Sequence, residues 1–207
     1  MQKIILLLLV SAMLISANFN TILAKDSIRG KYSLVGKIPK KNSVNKVIYE
    51  EFINFGCSHC NNLHNASKTF RIKYSNKIEF FDIPILFRGQ NDSPLRLYFI
   101  AKKIGKGDLV KDELFKASFQ HGVNVFDSGI VNFLARSLGI YKEFKKEKQQ
   151  SWVNKLIENG KIKSQKYRIT GTPTVVLQQA MKMDISHYGT MSDFVKKIPE
   201  TIEDLIQ

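Results

Sequence analysis

Two cysteines occur in 207 residues, and they stand together as Cys57-Ser58-His59-Cys60. A pair this close can exchange a disulfide, help hold a metal, or carry a covalently attached haem. Haem attachment needs a histidine directly after the second cysteine, and Asn61 stands there instead. A closed zinc site needs four ligands. His64 and His121 are the candidates to complete one, and their spacing from the motif forms no metal-binding pattern. Thiol–disulfide exchange remains, which requires a thiolate able to attack a disulfide or to leave from one. A structural staple is the weaker reading. So short a loop constrains the unfolded chain little, and the roughly 180 residues that follow the leader can build a core without it.

The elements around the motif say which sulfur does what. Val47 to Phe55 reads as a strand, with Val47, Tyr49, Glu51, Ile53 and Phe55 on one face and Ile48, Glu50, Phe52 and Asn54 on the other. Large apolar side chains on both faces mark a central strand. Each face also carries a glutamate, and a buried carboxylate must be paired or protonated; the alternative for Glu51 is a solvated strand end. Gly56 ends the strand. Cys60, Leu63, Ala66 and Phe70 then recur at helical steps over Ser58 to Tyr74. Cys57 therefore falls at a helix N-terminus, where free N–H groups and the helix dipole favour an anion. Cys60 lies one turn in and is set deeper, as the resolving cysteine. His59 adds a cationic or hydrogen-bonding neighbour.

The rest of the chain supplies a frame. A short extended stretch, Gly30 to Gly36, precedes a polar connector over residues 37–45. Ile78 to Phe87 is a second strand, with Pro84 arguing for a sheet edge. Helices follow: Leu95 to Ile104 behind Asp92-Ser93-Pro94, Asp108 to Phe119, one capped by Asp127 or Ser128 and stopped by Gly139, and a lysine- and glutamate-rich stretch from Tyr141 to Glu158. Thr170-Gly171-Thr172-Pro173 then forms a constrained loop that permits a cis bond, ahead of the strand Val175-Val176-Leu177. Lys182 to Tyr188 is its candidate partner, although Gln178 to Met181 offers no Gly or Asn for a tight turn. A C-terminal helical stripe from Met191 to Leu205 contains Pro199, which is expected to kink or split it. The fold class is α/β, a sandwich interrupted by about 80 residues of helix.

Lys3 is the only charge before Lys25, and Ile4 to Val10 is unbroken apolar. This suits a secretory signal peptide over residues 1–24, with Ala17 and Ala24 as candidate cleavage points and an uncleaved anchor as the alternative. The body is thus expected outside the cytoplasm. The formal net charge is +14. The lysines are spread along the chain, with short clusters at residues 37–41 and 142–148, and no nucleic-acid-binding signature accompanies them. A solvated basic surface is the expected reading.

Together these residues resemble a known family. The strand–Cys-x-x-Cys–helix unit and Gly171-Thr172-Pro173 look like a thioredoxin fold. The helices between them look like the insertion of the DsbA-type disulfide oxidoreductases. Cys57-Ser58-His59-Cys60 matches that family's Cys-Pro-His-Cys at three positions, with Ser58 in place of proline. Thr172-Pro173 matches its cis-proline loop, with threonine where the common oxidase has valine; threonine is seen there in related isomerases. Both departures bear on redox poise. Glu51, six residues before Cys57, matches the family's buried acid.

The resemblance implies a thioredoxin-fold N-terminal part over residues 25–87, a helical insertion over 88–165, and a C-terminal part over 166–207. Catalytic roles fall to Cys57, Cys60, His59 and Glu51, and substrate binding to Thr172 and Pro173. Glu51 would accept the Cys60 proton through water, because burial holds a carboxyl toward its neutral form. Pro173 keeps a backbone N–H away from the sulfurs and leaves Thr172 to bind substrate in an extended, strand-like way. The implied activity is donation of the Cys57–Cys60 disulfide to reduced exported proteins through a mixed disulfide. Re-oxidation would come from a membrane quinone-linked, DsbB-like oxidase, in the periplasm, with no cofactor, metal or nucleic acid and as a monomer. Alternatives are an isomerase or reductase of the same fold, or a non-redox chaperone or metallochaperone. The dimerisation domain that isomerases of this group carry before the thioredoxin fold is missing.

Overall fold

The computed structural model describes residues 28–39 and 46–206. The signal peptide expected over 1–24 and most of the polar connector lie outside them. Five strands form one sheet in the order β1-β5-β4-β2-β3. The strands are β1 (Ser33–Leu34), β2 (Val47–Ile53), β3 (Ile78–Pro84), β4 (Thr174–Leu177) and β5 (Met181–Asp184). Seven α-helices are present among the described residues: α1 (Ser58–Lys73), α2 (Ser93–Lys103), α3 (Gly107–Phe119), α4 (Ser128–Ser137), α5 (Tyr141–Glu147), α6 (Ser151–Lys166) and α7 (Met191–Ile206). The result is a mixed α/β sandwich with five helices inserted between β3 and β4.

β2 runs parallel to β3 and antiparallel to β4, so it is buried on both edges and both faces. Its alternation decides what lies where. Tyr49 packs with Leu63, Phe70 and Phe194 beneath α1 and α7, whereas Phe52 packs with Val176 and Tyr167 beneath α6. Ile53 and Phe55 extend into a third cluster with Cys60 and the inserted helices. Each fully buried apolar side chain stabilises the fold by about 1.5–3 kcal/mol, so the end of β2 joins the sheet to the insertion.

The expected order of elements holds, with local detail added at four places. The stretch from Tyr141 to Glu158 is divided between two helices. Gln150 is extended (φ −68°, ψ 147°) and separates α5 from α6. Pro199 does not split the C-terminal helix, since α7 continues through it. The second partner strand is only Met181–Asp184, followed by a short 3-10 turn over Ile185–His187. The turn before it is real despite lacking Gly or Asn. Gln178 and Gln179 both take positive φ, 52° and 55°, as a type I′ turn requires. Gln178 is held there by its own N–H to Ile48 O at 2.9 Å.

Candidate functional site

Cys57 is the N-cap of α1, in extended backbone (φ −98°, ψ 115°), and its sulfur accepts from the Cys60 N–H at 3.4 Å. The turn that places it is built by Asn54. Its Nδ2 donates to Ile85 O (2.9 Å) and to Gln90 Oε1 (2.7 Å), while its Oδ1 accepts from Gly56 N (3.0 Å). The Cys57 N–H closes the turn on Asn54 O at 3.0 Å. Gly56 is required by space, since a Cβ there would come within 2.9 Å of the Phe126 ring. The motif is thus clamped between β2 and the start of α4.

Both cysteines are free thiols, with Cys57 half-buried and Cys60 fully buried. Their acidities are driven apart. The hydrogen bond from Cys60 is the largest influence on Cys57. Against the opposing effect of burial, it is joined by the Thr172 side chain and by the backbone N–H groups of Cys60 and His59, and Cys57 is lowered to about 6. Burial, first, and then the neighbouring Cys57 push the Cys60 thiol far up. His59 acts here through its backbone; its ring is exposed, as is Ser58.

The Thr172–Pro173 bond is cis, and the loop meets the motif directly: the Cys57 thiol donates to Thr172 O at 3.2 Å. Thr174 Oγ1 braces the loop on Gly171 O at 2.9 Å. The structure therefore joins the Cys57–Cys60 motif to Thr172, and Pro173, next in sequence, is buried.

Glu51 is fully buried, so its strand end is not solvated. Its hydrogen bonds go to Arg71 and Tyr49 rather than to either cysteine. Oε2 accepts from Arg71 (2.7 Å) and from the Tyr49 hydroxyl (3.0 Å), while Oε1 has no partner within the protein. Arg71 also donates to Asp82 Oδ1 (2.7 Å), which pairs with the buried Lys111 at 2.9 Å. The Arg71 guanidinium rests 4.8 Å above the Phe80 ring. Burial opposes the charge on Asp82, but Lys111 and Arg71 outweigh it and hold its carboxyl well below the ordinary range. Glu50, on the opposite face, is matched by Lys163. Each strand glutamate thus has a cation beside it, as a buried carboxylate requires, with one oxygen of each left without a partner within the protein.

Sequence reading missed Asn54, Arg71, Asp82 and Lys111. Asn54 carried a signal, a turn-forming residue just before Gly56. Asp82 sat within Phe80-Phe81-Asp82-Ile83, and Lys111 followed Val110 in an apolar stripe, but nothing local links either to Glu51. His64 is buried and bonded to Asp112 at 2.5 Å, away from any metal arrangement. Among the described residues, no group of three or more His, Cys, Asp or Glu is placed to hold a metal ion.

Comparison with known proteins agrees with this geometry. The DSBA-like thioredoxin domain family matches residues 68–196, more than half of the chain, starting just beyond the cysteine motif. The thiol:disulfide interchange protein DsbA of Burkholderia cepacia is 26% identical over 211 residues, covering 95% of this chain and 93% of that protein. Among solved structures, the oxidoreductase DsbA of Xylella fastidiosa superposes with a TM-score of 0.72 at 17% identity, covering 86% of this chain and 97% of the other. A Proteus mirabilis DsbA solved with a non-covalently bound peptide gives a TM-score of 0.67 at 18% identity, covering 87% and 97%. At these identities the solved structures establish the fold, a thioredoxin fold with a helical insertion.

Proposed function

The chain belongs to the DSBA-like thioredoxin domain family and is a protein disulfide oxidoreductase, and from that premise we propose that it works as a dithiol oxidase, with Cys57 as the attacked sulfur. The observation that carries this is the asymmetry of the pair: Cys57 is lowered to about 6 at the mouth of the site, while Cys60 is buried and pushed up. A substrate thiolate attacks Cys57 Sγ of the oxidised pair. The Cys57–Cys60 bond breaks, a mixed disulfide forms, and Cys60 leaves and takes up a proton. A second substrate thiolate attacks the substrate sulfur of the mixed disulfide, forming the substrate disulfide and releasing Cys57 as a thiolate. The substrate loses two electrons and two protons; the pair gains the two electrons, Cys60 takes one proton and the other passes to solvent. Stabilising the released thiolate drives the exchange in this direction.

The other residues have supporting roles. Thr172 and cis-Pro173 border Cys57 and would receive the substrate backbone as an added strand, a role to which the peptide bound by the Proteus relative lends support. Glu51 would exchange a proton with Cys60 through water when the pair is re-oxidised. It lies on the face of β2 beneath α1, two residues before Ile53, which packs in the cluster that includes Cys60. Residues 25–87 and 166–207 would form the catalytic part and residues 88–165 the insertion. Residues 1–24 would export the protein to the periplasm. There it would meet reduced exported proteins and be recharged by a membrane quinone-linked oxidase.

The test is chemical trapping. Cys60→Ser should accumulate a mixed disulfide with a disulfide-bonded unfolded protein, because the Cys57 thiolate opens the substrate disulfide and no Cys60 remains to release it; the adduct is visible by non-reducing electrophoresis and intact mass. Cys57→Ser should abolish exchange. Retained function in Cys57→Ser would sink the redox reading in favour of a chaperone.

A further inference from the structure

One end of the helical insertion is more basic than helix capping requires. Lys102 and Lys103 close α2, and Lys106 follows it. Lys142, Lys145 and Lys146 are exposed on α5, and Lys148 follows that helix. These segments converge. Lys103 Nζ bonds Glu147 of α5 at 2.6 Å and lies 4.7 Å over the Trp152 ring of α6. Lys106 Nζ reaches Leu138 O, at the end of α4, at 3.5 Å.

Lysines in the last turn of a helix complement its dipole, which accounts for Lys102, Lys103, Lys145 and Lys146. Lys106 likewise reaches the C-terminal carbonyl of α4, but nothing of this kind accounts for Lys142, which sits in the first turn of α5 where a cation is disfavoured. Within α5 the acids are Glu143 and Glu147, and Glu147 is already taken by Lys103. Exposed apolar groups lie among these cations: Ile104 is 40% exposed and Leu156 39%. Trp152 and Leu156 border an open groove of about 430 Å³ that Lys102, Lys103 and Lys163 rim.

We propose that this end of the insertion docks on an anionic phospholipid surface. Cations attract anionic headgroups, and interspersed aliphatic and tryptophan side chains enter the interface. The placement leaves the redox site open. α2 begins beside the motif, through the Asn54–Gln90 bond, and α4 begins there through the packing of Phe126 on Gly56. Each helix is about 15 Å long, and the basic end lies at their C-terminal ends. Docking there would hold the protein against a bilayer with Cys57 free. The proposal is independent of the redox reading.

Trp152 is the sole tryptophan and reports directly on this surface. The full chain is titrated with vesicles containing phosphatidylglycerol and with pure phosphatidylcholine vesicles. Preferential binding to the anionic vesicles is expected, with Trp152 emission moving to shorter wavelength and binding weakened by salt. The triple variant Lys142→Glu/Lys145→Glu/Lys146→Glu should bind at least ~100-fold more weakly, since each surface cation contributes roughly fivefold, while keeping disulfide exchange with a small thiol. Equal binding to both vesicles would overturn the proposal. So would a Trp152 emission indifferent to bound anionic vesicles, undiminished binding by the triple variant, or binding of poly-glutamate but not of vesicles.

Discussion

If Cys57 is held as a thiolate by the fold, the stability of the reduced protein must depend on pH in a way that the oxidised protein's does not. In the folded reduced chain Cys57 releases its proton near about 6, against an ordinary value of 9.0. The unfolded chain therefore binds more protons than the folded one between pH 6 and 9, and reduced-state stability rises with pH across that window. The Cys57 contribution is lost as pH falls through 6 and is essentially complete at pH 9, above which the raised Cys60 thiol works the other way because the unfolded chain releases that proton first. Three pH units correspond to about 4 kcal/mol. Cys57 is only half-buried, and solvent screening reduces this to about 2 kcal/mol. His64 is lowered by burial and by Lys111, but it is common to both redox forms and cancels in their difference. Guanidinium unfolding of the reduced and oxidised forms at several pH values gives that difference directly. It should shift by about 2 kcal/mol in favour of the reduced form from pH 6 to pH 9. A difference that stays flat would refute the thiolate argument, and one that moves the other way would reverse its sign.

Further outcomes follow from the site's surroundings. Cys60→Ala should raise the Cys57 pKa more than His59→Ala, because the Cys60 hydrogen bond is the largest influence and His59 acts through its backbone; ultraviolet thiolate absorbance checks the order, and the reverse order would refute it. Arg71→Met leaves the buried Glu51 without its ion partner and Asp82 with Lys111 alone and should cost about 3–5 kcal/mol in a denaturant titration; a loss below about 1 kcal/mol would mean the network is not structural. Gly56→Ala forces the Phe126 ring aside and should cost about 1–3 kcal/mol while slowing exchange, read from the same titration and a thiol-exchange assay.

The legible part of this protein was local. Cys57 at a helix start, Cys60 one turn deeper and the Gly–Thr–Pro loop before a strand are all written in a few adjacent residues, so motif, element order and fold class could be read together. Pro84 likewise placed β3 at the sheet edge. What escaped reading depends on contacts between distant segments. Glu51 appeared as a buried acid in need of a partner, but its partner Arg71 lies 20 residues on, and Asp82 and Lys111 complete the network from β3 and α3. The turn at Gln178 and Gln179 hides for a related reason: Gln178 is tied to Ile48 of β2 by tertiary hydrogen bonds, overriding the local preference for Gly or Asn.

The central claim is that Cys57–Cys60 is poised to give its disulfide away, and equilibration of the protein against a glutathione series measures that poise directly. Thiols with pKa near about 3.5 and about 7 accompany potentials near about −120 mV and about −270 mV, respectively. With Cys57 at about 6, the account predicts a potential between those limits, above the reductase end. A value at or below about −270 mV would contradict it and make this protein a reductase.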